Sequence, residues 1–126
     1  MKLDHVALQV SDMNQALEFY IQGLGLELVL RTTNTDQQEE YAFLRMEGGS
    51  LELIRQIGGS FGPQVLEPPY CPHFAIATED MPRTLELIRE RHLPLVAGPF
   101  EIAREETWVY VHDPDRNVIE FIQWFR

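Results

Sequence analysis

The sequence predicts an α+β fold of two tandem βαβββ modules, and three observations lead there. Short cassettes recur 68 residues apart: His5-Val6-Ala7-Leu8 returns as His73-Phe74-Ala75-Ile76, and Leu51-Glu52-Leu53-Ile54 returns as Ile119-Glu120-Phe121-Ile122. The same offset pairs Asp12-Met13 with Asp80-Met81 and Leu17-Glu18 with Leu85-Glu86, so the framework repeats along with the polar residues. The first copy also reads as a strand, a helix and then three strands, and the second can be read in the same order. A fixed internal period dictates the architecture in which every other residue is read.

The elements follow in order. From Leu3 to Val10, His5, Ala7 and Gln9 share one face and Val6, Leu8 and Val10 the other, which is strand periodicity. The aliphatic face is expected to be buried and the His-Ala-Gln face to look into a cavity. Ser11 or Asp12 caps a helix carrying Ala16, Leu17, Phe19 and Tyr20, ended by Gly23 and Gly25. Leu26 to Thr32, Glu39 to Met46 and Ser50 to Gln56 read as strands, the last two joined by a tight turn at Gly48-Gly49. Glu52 falls mid-strand, an unusual place for a carboxylate.

A Gly/Pro-rich connector, residues 58 to 71, separates module one (about 1–57) from module two (about 72–126), and the whole is expected to form one domain. The second copy starts at Pro72, with a helix from about Met81 to His92. Pro94 and Gly98-Pro99 are expected to bracket a short second strand. Thr107 to His112 and Asn117 to Trp124 complete the module across the reversal-favouring turn Asp113-Pro114-Asp115-Arg116-Asn117. Glu120 holds the strand position of Glu52.

Composition narrows the function classes. At 126 residues and 44% hydrophobic the chain can bury one core, while each half alone is small for an independent folder. A net charge of -10, with Lys2 the single lysine among scattered arginines, argues against nucleic-acid and acidic-membrane surfaces. One cysteine, Cys71, excludes an intrachain disulfide and a thiolate-rich zinc site. No apolar run reaches signal-peptide or membrane-span length, which gives cytoplasm as the expected compartment.

Taken singly, His5 reads as a hydrogen-bonded core histidine, and Glu52 or Glu120 as a carboxylate on a solvated sheet face. The duplicated quartet His5, Glu52, His73 and Glu120 favours a metal site, because charged groups are seldom buried unpaired. Two imidazoles and two carboxylates suit a divalent transition metal: zinc, nickel, cobalt, manganese or iron. Positions left open on the metal would admit a 1,2-dioxygenated substrate, with Glu52 or Glu120 as base. Gly23-Leu24-Gly25 closes a helix and is no dinucleotide fingerprint. His92 is assigned to its helix C-terminus, His112 to the periphery, and Cys71 to an incidental thiol.

With the quartet and the run Asp113-Pro114-Asp115-Arg116-Asn117-Val118-Ile119-Glu120 in view, the chain resembles the vicinal oxygen chelate superfamily (glyoxalase, bleomycin resistance, dioxygenase), and within it the glyoxalase I branch. The resemblance spans the whole chain. It implies a curved, half-barrel-like mixed sheet around a metal site, and a homodimer acting on a small-molecule substrate. It further implies a glyoxalase-type lyase or isomerase, moving a proton through a metal-stabilised enediolate on an α-oxo aldehyde–thiol adduct. Glu120 is then the principal base and Glu52 assists. The same superfamily holds acyl-CoA epimerases, dioxygenases and drug-binding resistance proteins, the last suggested here by Trp108, Tyr110 and Trp124. Bacterial glyoxalase I proteins place an arginine and an asparagine four residues beyond the two ligands of the first module to hold glutathione. Gln9 and Gln56 stand there in this chain, so glutathione is expected to be a poor thiol. Arg116 replaces the usual glycine of the Asp-Pro-Asp-Gly-Asn turn.

Overall fold

The computed structural model describes residues 1–125, which divide into two compact units, the first Met1–Pro63 and the second beginning at Gln64. Each is an open, four-stranded mixed sheet with one helical segment between its first two strands, so the α+β class and both βαβββ modules are as expected.

In the first unit, β1 (His5–Gln9), β2 (Glu27–Asn34), β3 (Glu39–Met46) and β4 (Gly49–Gln56) lie in the order β1-β4-β3-β2. β1 runs parallel to β4, and the remaining pairs are antiparallel. The crossover between β1 and the later strands carries α1 (Met13–Leu17), whose N-cap Asp12 accepts the Gln15 amide at 3.0 Å. The helix does not continue as a regular α-helix to Gly23. Glu18–Gly23 widens into a π-helical turn, marked by the Leu24 amide donating to the Phe19 carbonyl five residues back at 3.1 Å. Met13, Ala16, Leu17 and Tyr20 are buried, as are Ala42, Leu44, Leu51 and Leu53 on the facing strands. Each fully buried aliphatic side chain contributes about 1.5–3 kcal/mol.

The second unit repeats the plan with β5 (His73–Ala77), α2 (Met81–Glu90), β6 (Leu95–Ile102), β7 (Glu106–His112) and β8 (Val118–Trp124), in the order β5-β8-β7-β6. Asp80 caps α2 by accepting the Arg83 amide at 3.0 Å, and Pro82 sits where the first turn needs no donor. Gln123 ties β8 to this cap, accepting from the Met81 amide and donating to the Glu79 carbonyl. Met81, Thr84 and Ile88 are buried, together with Val109, Val111, Val118 and Ile119 of the sheet.

One expectation is corrected. Gly98-Pro99 does not bound the second strand of this unit, because β6 runs through it to Ile102. The strand is an edge strand, where a missing amide donor leaves no ladder bond unmade, and its register slips between Ala97 and Phe100 to absorb the extra residue.

Candidate metal and substrate site

Strand register brings each histidine to its glutamate. In β1 and β4, His5 pairs with Ser50 and Ala7 with Glu52, so the imidazole and the carboxylate occupy one face two residues out of step. His5 Nε2 lies 3.4 Å from Glu52 Oε1. In the second unit, Ala75 pairs with Glu120 in the same way, and His73 Nε2 lies 3.0 Å from Glu120 Oε1. The structure therefore joins His5 to Glu52 and His73 to Glu120. Among the described residues no cluster of three or more His, Cys, Asp or Glu side chains forms around a single point.

The far nitrogen of each ring is also occupied. His5 Nδ1 is 2.7 Å from Asp4 Oδ2, and His73 Nδ1 is 3.0 Å from the Tyr70 carbonyl oxygen. Carboxylate and carbonyl oxygens only accept, so Nδ1 carries the proton in both rings. With Nδ1 protonated, a neutral imidazole presents the Nε2 lone pair to a glutamate oxygen, and two acceptors face one another. Such a pair needs a proton or a cation between its members. A histidine whose outer N–H is held by an oxygen acceptor is the usual arrangement of a metal ligand. The donor set fits a divalent metal on this ground. The pKa of His5 is raised, first by the hydrogen bond to Asp4; burial opposes this, and the charges of Glu52 and Asp4 add to it.

Asp4 and Tyr70 were invisible as partners to a reading based on repeats. The two acceptors have no common offset, Asp4 working through its side chain and Tyr70 through its backbone. An aromatic residue also stands beside each pair: Tyr110 is expected from the sequence only as a drug-binding aromatic, and Phe43 is not singled out there at all. Phe43 is paired in register with Glu52, and Tyr110 with Glu120. Their rings stand edge-on to the histidines, with centroids 5.5 Å apart for His5–Phe43 and 5.3 Å for His73–Tyr110. They are 67 rather than 68 residues apart, because the β7–β8 turn is longer than the β3–β4 turn. Tolerating a shift of one residue matches Phe43 to Tyr110 in the sequence.

The two halves differ in what surrounds the pair. In the second unit, Tyr110 is 4.9 Å from Tyr70 and 6.4 Å from Phe100, and Phe100 is 5.5 Å from Trp108, so an aromatic surface extends from His73. The Tyr110 hydroxyl is pushed above its usual pKa, first by burial and then by the charge of Glu120, against a hydrogen bond from Trp108. Trp124, grouped with these aromatics by sequence, lies exposed at the end of β8. Gln9 and Gln56 line one cavity in the first unit. Cys71 is exposed, with Sγ 3.8 Å from His73 Nδ1. His92 follows α2 in a left-handed conformation (φ 53°), and His112 Nδ1 is 2.7 Å from the Asp113 carbonyl oxygen.

Comparison with known proteins identifies the family. The model of the Glyoxalase/Bleomycin resistance protein/Dioxygenase superfamily matches residues 2–121. The chain belongs to this superfamily. A lactoylglutathione lyase of Haemophilus influenzae is 29% identical over 126 residues, covering 98% of this glyoxalase-superfamily chain and 93% of that protein. The uncharacterized protein YwbC of Bacillus subtilis is 27% identical over 123 residues, 97% of each chain. Among solved structures, a glyoxalase family protein from Bacillus cereus superposes with a TM-score of 0.80 at 15% identity, covering 100% of this chain and 95% of that one. The antibiotic-binding protein TnmS3 from a Streptomyces species gives 0.76 at 20% identity, covering 98% and 96%. These two structural likenesses establish the fold of the superfamily member and nothing finer. No helix among the described residues is long and apolar enough to cross a membrane.

Proposed function

We propose that this superfamily member is a metal-dependent lyase or isomerase of glyoxalase type, transferring a proton between adjacent carbons of an α-oxo aldehyde–thiol adduct. The observation that carries the reading is the duplicated His–Glu pair, each imidazole fixed through Nδ1 so that Nε2 faces a carboxylate oxygen. His5, Glu52, His73 and Glu120 would hold one divalent transition metal, with two copies of the chain expected to associate as a homodimer. Bound there, the metal supplies Lewis-acid stabilisation of negative charge on the substrate's oxygens.

The protein's own groups do the rest. Glu120, with a side chain only 12% exposed, is shielded from water, so a proton taken by its carboxylate is returned to substrate rather than lost. His73, held by the Tyr70 carbonyl, fixes where that carboxylate lies. Tyr110 keeps its hydroxyl proton and can donate a hydrogen bond beside Glu120. Glu52 is chemically equivalent but more open at 17%, which makes it the assisting group. Support also comes from the lactoylglutathione lyase relative.

The test is turnover of a methylglyoxal–thiol adduct in deuterated water by metal-loaded protein and by Glu120→Gln at equal metal occupancy. The amide keeps an oxygen donor but is a far weaker base, so both turnover and deuterium exchange should fall by about 100- to 10,000-fold. Near-normal exchange in the variant would remove Glu120 as the base, and inactivity of Glu52→Gln alone would reverse the two roles.

A second reading, sequestration of a planar drug, is favoured by the aromatic surface of Tyr70, Tyr110, Phe100 and Trp108. It requires no metal, so undiminished ligand binding by metal-free protein without any turnover would select it.

A further inference from the structure

At the carboxyl ends of β1 and β4 a cavity of about 240 Å³ is lined by Ala7, Leu8, Gln9, Glu39, Ile54 and Gln56. Gln9 shares its strand face with His5, and Gln56 shares its face with Glu52, each four residues further along. Ala7, paired in register with Glu52, brings the near end of the cavity beside the His5–Glu52 pair, while at about 3.3 Å per residue its far end at Gln9 and Gln56 lies roughly 13 Å away. That far end is at the distance of the distal part of a tripeptide-sized thiol rather than of the reacting carbons.

The lining is chemically one-sided. It holds one carboxylate, Glu39, two carboxamides, and no cation. Glu39 is paired in register with Gln56, which keeps the two polar groups together. No described residue forms an ion pair with Glu39. The two arginines of neighbouring strands that might neutralise it are committed to the adjacent Glu40, with Arg31 Nε at 2.9 Å and Arg55 Nε at 3.0 Å. Gln56 also has room to turn, because Gly59 lacks the Cβ that would come within 2.9 Å of its Oε1. A carboxylate entering here meets like charge, whereas an ammonium meets an unneutralised carboxylate and amide oxygens.

We propose that this cavity takes a protonated amine on the distal, thiol-derived part of the substrate, Glu39 pairing with the ammonium and Gln9 and Gln56 hydrogen-bonding the polar groups beside it. The inference rests on reading the His–Glu pairs as the reaction centre, since that reading makes the cavity a substrate end. The ligand class is therefore an amine-bearing thiol conjugate without free carboxylates at that end.

The test uses binding, which is independent of turnover. S-methylglutathione, its diethyl ester and the N-acetylated diethyl ester are titrated into the full chain by calorimetry, with amide shifts followed by NMR. The diethyl ester, which keeps the ammonium and loses both carboxylates, should bind about tenfold more tightly than the free acid. It should move the amide signals of Gln9, Glu39 and Gln56. N-acetylation and Glu39→Gln should each remove that preference, and Gln9→Arg should turn it toward the free acid. Equal or tighter binding of the free acid overturns the proposal, as does a preference that survives in Glu39→Gln, or no binding of any of the three. Failure of the lyase reading shows separately, as absent turnover in protein that still prefers the ester.

Discussion

Replacing Asp113 with alanine should destabilise the second unit by about 3–6 kcal/mol, because one fully buried carboxylate organises the turn that delivers Glu120. Its Oδ1 accepts the backbone amides of Asp115 and Asn117, both at 2.8 Å, and its Oδ2 accepts Asn117 Nδ2 at 2.9 Å. Hydrogen bonds to a charged acceptor contribute about 1.5–3 kcal/mol each. The Asn117 side chain is only partly buried and regains water when the carboxylate is lost, so the two backbone amides set the cost. Asp113→Asn keeps an acceptor for those amides but turns an NH2 toward Asn117 Nδ2, and should cost about 1–3 kcal/mol. Both tryptophans, Trp108 and Trp124, lie on the strands flanking this turn, so urea unfolding followed by tryptophan fluorescence reports the second unit. A loss below about 1 kcal/mol in Asp113→Ala would refute the argument that the carboxylate holds the turn.

Two further substitutions test the same framework. Arg116 has φ 66° in that turn, a conformation that costs a non-glycine residue about 1–2 kcal/mol, while glycine loses about 0.5–1 kcal/mol more backbone entropy on folding. Arg116→Gly should therefore raise stability by about 0.5–1 kcal/mol, measured as a higher urea midpoint at unchanged slope. In the first unit, burial raises the pKa of Glu40, but the hydrogen bonds and charges of Arg55 and Arg31 outweigh it and leave the pKa lowered. A lowered folded-state pKa gives stability that is present above the ordinary value of about 4.5 and is lost as pH falls through the folded value. Glu40→Gln should thus be less stable than the parent at neutral pH, with the gap closing below pH 4.5 in acid-unfolding curves.

Much of this was legible in the sequence because the signals were local and repeated. The strand reading Glu39 to Met46 agrees with the structure to the residue, and Ser50 to Gln56 to within one, since these stretches flank the tight turn at Gly48-Gly49. The His and Glu positions stood out through the fixed offset. What stayed hidden depended on backbone geometry or on irregular spacing. The widened turn at Glu18–Gly23 leaves the apolar stripe unchanged, and Pro99 reads as a strand breaker unless the strand is known to be an edge. The carbonyl of Tyr70 carries no sequence signal at all, yet it selects the protonated nitrogen of His73.

The central claim is that the two His–Glu pairs are metal ligands. Metal analysis of purified protein, followed by calorimetric titration with zinc, nickel, cobalt, manganese and iron(II), tests it most directly. The account predicts one tightly bound divalent ion per chain, weakened strongly by His5→Ala or His73→Ala and left unchanged by His92→Ala, whose ring lies beyond the end of α2. No uptake of any of these ions, or equal weakening by all three substitutions, would contradict it.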